Sequence, residues 1–278
     1  MRWPPFEHIF FDCDSTLTKV EGIDVLAEAM GKRQRVELLT HAAMEGMIDL
    51  EEVYAKRLRT LRPTRQQILD IRHSYKRNIV EDAALVVSAL QSLGHKVYII
   101  SGGLAEPVEE FGVSLGIPRE RIRAVDITYN ELSGQWWEKS EADNIRYMTY
   151  TDGALTISDG KAQIVRELLG GQRGRSLLIG DGNSDLLAGE AVDLFVGFGG
   201  VISRPKVKER APVFIESTSL APLLGLAGGP AELRILSKWS MQYQSLSLKA
   251  QYLIQKGVVI INDEHLESKF QQTFFSTP

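Results

Sequence analysis

The sequence predicts an α/β protein, a doubly wound parallel sheet of Rossmann-like type with a small helical cap inserted after the first strand. Three observations predict it. Short apolar runs of strand length, Ile9-Phe10-Phe11, Val97-Tyr98-Ile99-Ile100, Leu177-Leu178-Ile179 and Leu194-Phe195-Val196, alternate with stretches of helical periodicity, the pattern of strands buried on both faces of a parallel sheet. Polar, acidic or glycine-rich residues follow the first three of these runs directly, as at the carboxyl edge of a sheet, where such folds bind ligands. The long stretch from Ile23 to Tyr75 holds helical patterns and no strand pattern.

The first run opens into Asp12-Cys13-Asp14-Ser15-Thr16-Leu17-Thr18. Strand side chains alternate faces, but where the strand ends and the chain curls, Asp12 and Asp14 can both point into one crevice. Two close carboxylates repel, and a divalent cation such as Mg²⁺, which takes one or two carboxylates plus phosphate and water, relieves the repulsion. The segment therefore has the design of a phosphoryl-accepting aspartate, although a polar turn bonding its own backbone would use the same residue types.

Helical stretches follow at Ile23 to Met30 and from Leu50 to Leu61, punctuated by Gly31 and Pro63. Residues 1–18 and 78–228 are thus expected to form the core, 19–77 a helical cap, and 229–278 a C-terminal extension that is mainly helical. Leu85, Val86, Ala89, Leu90 and Leu93 keep helical spacing, Gly94 caps, and the second strand follows. Helices are expected near Pro107 to Leu115 and Lys161 to Leu169, and a small β excursion between Ile127 and Ile157, where Thr, Tyr and Trp mix with glycine. After Gly228, the spacing of Leu233, Leu236, Tyr243, Leu246, Ala250 and Leu253 predicts one long amphipathic helix.

Further chemistry is expected at the strand ends. Ser101-Gly102-Gly103 supplies a hydroxyl and open amides that suit phosphate oxygens. Lys161 stands at a helix start, where its ammonium can neutralise both a phosphate and a nucleophilic carboxylate. Gly180-Asp181-Gly182-Asn183-Ser184-Asp185 places two more carboxylates at a third strand end. Asp181 reads as an additional metal ligand, and Asp185 as a group holding either Lys161 or a metal-bound water.

Composition narrows the class. The chain has 278 residues, 44% hydrophobic and 24% charged, with a formal net charge of -4. That balance, with Lys and Arg scattered rather than striped, argues against a nucleic-acid partner. No apolar run approaches the ~20 residues of a membrane span. The single cysteine, Cys13, and an opening without the apolar core of a signal peptide lead us to expect a reducing, cytoplasmic setting. Oligomeric state is not legible in the sequence.

In order, Asp12-x-Asp14-x-Thr16, Ser101, Lys161 and Gly180-Asp181-Gly182-x-x-Asp185 resemble the motifs of the haloacid dehalogenase superfamily of phosphohydrolases. The helical insertion sits where the C1 cap of that superfamily sits. Glu21, Ala43-Met44-Glu45-Gly46, Leu50-Glu51, Lys56-Arg57 and Gly197-Phe198-Gly199-Gly200 are similar to the phosphoserine phosphatase family within it. The resemblance runs from about Phe10 to about Leu224.

It implies a Mg²⁺-dependent phosphomonoester hydrolase working through an aspartyl-phosphate, with Asp12 as nucleophile and Asp14 as general acid and base. Asp12, the backbone carbonyl of Asp14 and Asp181 would hold Mg²⁺, while Ser101, Gly102, Lys161 and Ser184 meet substrate and Asp185 supports them. Glu21 would bind an amino group, Arg57 a carboxylate, and Met44 would pack beside the serine carbons, so that L-phosphoserine or a similar small phosphorylated metabolite is the implied partner. Three departures stand out: Leu50 where an aromatic is frequent, Ser184 where Asn or Thr is frequent, and Val80-Glu81-Asp82 in place of a Thr-Pro-Gly or Thr-Glu-Gly. A related phosphatase or phosphotransferase with another substrate, and a non-catalytic protein on the same fold, remain the alternatives.

Overall fold

The structure, a computed structural model, describes residues 3–44, 50–130 and 147–275, without the side chains of 40–44, 50 and 51. Its centre is a seven-stranded sheet. In chain order the strands among the described residues are β1 (His8–Phe11), β2 (Lys96–Leu104), β3 (Ile122–Val125), β4 (Ile127–Tyr129), β5 (Tyr147–Tyr150), β6 (Ser176–Gly180), β7 (Leu194–Phe198), β8 (Val213–Ile215) and β9 (Val259–Ile261). The sheet runs β3-β2-β1-β6-β7-β8-β9, parallel except for β9, while β4 and β5 form a separate antiparallel ribbon. With that ribbon set aside, the parallel strands have the doubly wound order whose direction of winding reverses between β1 and β6.

The alternation of strand side chains explains the two layers of core. Ile9 and Phe11 of β1 enter one cluster with Val97, Ile99, Leu177 and Ile179, and Phe10 enters the other with Tyr98, Ile100, Leu178 and Phe195. The first face is covered by α5 (Ala83–Leu93), α6 (Ala105–Ser114) and α10 (Pro222–Leu236), the second by α7 (Lys161–Leu169), α8 (Asn183–Ala188) and α9 (Pro205–Arg210). Complete burial of each large apolar side chain contributes on the order of 1.5–3 kcal/mol, so the all-apolar strands are well suited to the centre of this arrangement.

Between β1 and β2 stand α1 (Gly22–Ala29), α2 (Arg33–Met44), α3 (Leu50–Leu61) and α4 (Arg65–Arg77). Helix α4 begins with a capping box, in which Thr64 accepts from the Gln67 amide and the Gln67 side chain accepts from the Thr64 amide. Its apolar face buries Ile68, Ile71 and Tyr75. The ribbon is tied to these helices by a Tyr147 amide bond to the Pro63 carbonyl at 2.8 Å.

The expected single helix after Gly228 is instead broken. Within α10, Gly229 takes φ 72°, a left-handed conformation open to glycine, and Pro230 follows without an amide to continue the ladder. The helix then stops at Leu236, and α11 (Met241–Gln255) restarts after Ser240. Beyond it, β9 pairs along β8 and α12 (Glu264–Phe274) brings Phe270 and Phe274 against Trp3, whose indole also donates to the Leu226 carbonyl at 2.7 Å.

Candidate active site

The sheet order brings the carboxyl ends of β1, β2 and β6 side by side, and residues at or just past those ends line one cavity of about 440 Å³. Past Phe11 the chain turns sharply: the amides of Thr16, Leu17 and Thr18 all point to the Cys13 carbonyl, and Ser15 takes φ 55°. This turn sends both Asp12 and Asp14 into the cavity.

Asp12 Oδ1 accepts from the Cys13 amide at 2.8 Å and lies 2.9 Å from the Lys161 ammonium. Lys161, at the first turn of α7, also reaches Asp185 Oδ1 at 2.7 Å, and the other oxygen of Asp185 accepts from the Gly182 amide at 3.0 Å. Asp185 thus holds Lys161, one of the two roles expected for it. Gly180 permits this closeness, since a Cβ there would lie 2.3 Å from the Asp185 carboxyl carbon.

Asp181 is buried beside them, with Arg204 Nε 3.0 Å from its Oδ2 and the Thr16 hydroxyl 3.4 Å from its Oδ1. The carboxylates of Asp12, Asp181 and Asp185 offer oxygens within 4.8 Å of one another. Crowding and burial act on the protonation of Asp12 and Asp181. Burial above all, then the charge of Asp185, lifts Asp12 well above the ordinary carboxylate range against the pull of Lys161. The same two causes lift Asp181 to about 6 against Arg204. A cluster so short of positive charge, made only of hard oxygen donors, fits a divalent cation of the Mg²⁺ kind.

Asp14 differs. Burial, followed by the charge of Glu21, raises its carboxyl to about 8. It is therefore a neutral acid at pH 7, able to give up a proton. Ser101 is fully buried, but it does not follow the strand: β2 continues to Leu104, with its register broken between Ile100 and Leu104. The Ser101 hydroxyl accepts from the Gly103 amide at 2.9 Å within this irregular stretch. Gly102 and Ser184 line the cavity as well.

From the helical insertion, Glu21, Tyr54 and Arg57 face the same cavity. Glu21 precedes α1 and accepts from the Ser15 hydroxyl at 2.8 Å. Burial lowers the pKa of Arg57 against the charges of Asp24 and Glu21. Met44 ends α2, but its side chain lies outside the described residues, as do Glu45 and Gly46. The sequence reading missed Arg204, which lies 3.9 Å from Glu21 as well as on Asp181, and Tyr54 and Tyr75. The signal for Arg204 was its place just beyond Gly199-Gly200, in a loop leaving the same sheet edge.

A buried carboxylate tied to a lysine, a second carboxyl two residues on and a carboxylate cluster at a sheet's switch point form an arrangement suited to phosphoryl transfer onto an aspartate. The profile of the haloacid dehalogenase-like hydrolases matches residues 9–190. The chain belongs to that family and is a phosphatase of it. It is 33% identical over 219 residues to the phosphoserine phosphatase of Drosophila melanogaster, covering 78% of this chain and 76% of that one. It is 31% identical to the human phosphoserine phosphatase, covering 78% of this chain and 91% of the relative. A solved phosphoserine phosphatase complex with bound substrate superposes with a TM-score of 0.64 at 23% identity, over 80% of this chain and 98% of that one. At that identity the likeness bears on the fold.

Proposed function

We propose that the protein hydrolyses L-phosphoserine to L-serine and phosphate. The observation that carries this reading is the placing of Arg57 and Glu21 in one cavity with Asp12 and Asp14. A guanidinium matches a carboxylate in a planar fork and a glutamate pairs with an ammonium, which are the two charged groups of an amino acid. The phosphoserine phosphatase relatives support the same choice.

In this reading Asp12 attacks phosphorus as the ester bond to the serine oxygen breaks, and Asp14 gives that oxygen its proton. Water then attacks the aspartyl-phosphate, Asp14 takes a proton from it, and phosphate leaves with Asp12 restored. Lys161, the Ser101 hydroxyl, the Gly102 amide and Ser184 meet the substrate's phosphoryl group. Asp12, the Asp14 carbonyl and Asp181 would hold Mg²⁺, which supplies charge stabilisation to the phosphoryl group when bound. Residues 19–77 act as the cap that closes over substrate and excludes water. Residues 1–18 and 78–228 form the catalytic core, and 229–278 an extension packed on it. Cys13 is a buried free thiol flanked by both catalytic aspartates, which suits a reducing, cytoplasmic setting.

The test is phosphate release with Mg²⁺ from L-phosphoserine, phosphoethanolamine and sugar phosphates. Preference for L-phosphoserine that disappears in Arg57→Ala supports the reading. Equal activity on phosphoethanolamine, or activity on sugar phosphates alone, overturns the substrate while leaving the core chemistry in place.

A further inference from the structure

The Tyr75 side chain is completely buried, and its hydroxyl has no hydrogen-bond partner among the described residues. An orphaned phenol costs roughly 1–3 kcal/mol relative to a satisfied one, so a tyrosine serving only as packing would be better replaced by phenylalanine. The ring is held in place: it packs on Phe111 with centroids 5.5 Å apart, and Thr18 donates to the Tyr75 carbonyl. The fold also makes room for the hydroxyl. It occupies the space a side chain would fill at residue 22, where a Cβ would lie 2.3 Å from the phenol oxygen.

The second orphan in this region is Asp14 Oδ1, also buried without a partner. One group is a donor and the other an acceptor. The other carboxyl oxygen, Oδ2, is directed to Gly103, where a Cβ would come within 3.3 Å of it. Gly103 lines the cavity, so Oδ2 is the oxygen on the substrate side.

We propose that the Tyr75 hydroxyl is the positioning donor for Asp14: by bonding Oδ1 it leaves the acidic proton on Oδ2, facing the leaving oxygen. This rests on the reading of Asp14 as general acid. Phosphoryl transfer forms the bond from Asp12 oxygen to phosphorus and breaks the bond from phosphorus to the ester oxygen. The proton passes from Asp14 Oδ2 to that oxygen, and the carboxylate left behind keeps its bond from Tyr75. Ser15, next to Asp14, donates to Glu21, whose neighbour Gly22 is the residue the phenol oxygen abuts, so the two orphans lie in one region of the fold. Helix α4 of the insertion thus takes part in proton transfer as well as in covering the site.

Tyr75→Phe removes the hydroxyl and nothing else. Its effect on kcat/KM, which reports formation of the aspartyl-phosphate, should depend on the leaving group. We expect a loss of about tenfold on L-phosphoserine, whose alkoxide needs a proton, with KM and Tm held. On p-nitrophenyl phosphate, whose leaving group departs without protonation, we expect less than about a twofold change. In an Asp14→Asn background the same substitution should add no further loss on L-phosphoserine. Equal losses on both esters, no loss on either, or an additive loss in the Asp14→Asn background overturns the proposal. Wild-type protein inert toward both esters would overturn the functional reading itself, and the proposal with it.

Discussion

The ammonium of Lys161 lies 2.9 Å from the carboxylate of Asp12, and both side chains are buried. Burial alone would lower its pKa, but the charges of Asp12 and Asp185 outweigh that and raise it. The lysine is thus a fixed positive charge shared by two carboxylates. Lys161→Met leaves both uncompensated, and we expect a loss of about 3–5 kcal/mol of stability together with loss of turnover. Urea unfolding measured beside phosphate release checks it, and an inactive variant of wild-type stability would confine the lysine to chemistry.

Asp12→Asn keeps the shape of the side chain and removes its charge. Turnover should fall by about 10⁴-fold or more. Thermal unfolding should show a fold at least as stable as wild type, because the substitution also relieves repulsion from Asp185 and Asp181.

Gly180→Ala tests the closeness that positions Lys161. Its Cβ would fall 2.3 Å from the Asp185 carboxyl carbon, so Asp185 or the backbone must move. We expect about 1–3 kcal/mol of destabilisation, with a drop in kcat larger than any change in KM. Retained activity would show that Asp185 has freedom to shift.

His95 links the core to the extension. Its Nδ1 meets the Phe6 carbonyl at 2.5 Å and its Nε2 meets Glu232 Oε2 at 2.8 Å. Both partners accept hydrogen bonds, a setting that suits a ring protonated on both nitrogens. Burial lowers its pKa, but the Glu232 hydrogen bond and charge outweigh that and raise it above the ordinary value of 6.5. A raised folded pKa stabilises fully below the unfolded pKa, and that contribution is lost as pH rises through the folded one. The urea midpoint should therefore decline as pH is raised from about 6 to about 9, and Glu232→Gln should flatten the decline.

The centre of the fold was legible because the central strands are apolar on both sides, and the site because its carboxylates follow those strands directly. Lys161 stood at a helix start in the sequence and stands there in the structure. The outer strands were not legible: β3, β8 and β9 have three or four residues each and no alternation to read. Ser101 looked like the residue after a strand, since nothing in Ser-Gly-Gly marks a strand that resumes after a bulge. Tyr75 reads as an ordinary apolar position of a helix, and only three-dimensional structure brings it to Asp14. Asp82 replaces an expected glycine, and it does take the left-handed φ of 64° that glycine would favour. Its carboxylate is held by Ser219 and by Lys249 of the extension, a compensation that local sequence does not reveal.

Strand β9 pairs on β8 in the direction opposite to the rest of the sheet. During synthesis, β8 is therefore complete long before its outer neighbour exists, and its row of amides and carbonyls stays uncovered until residues 259–261 have cleared the ribosome. Sheet closure is accordingly a late event in the life of each new molecule, and the nascent chain depends on whatever shields that edge in the meantime.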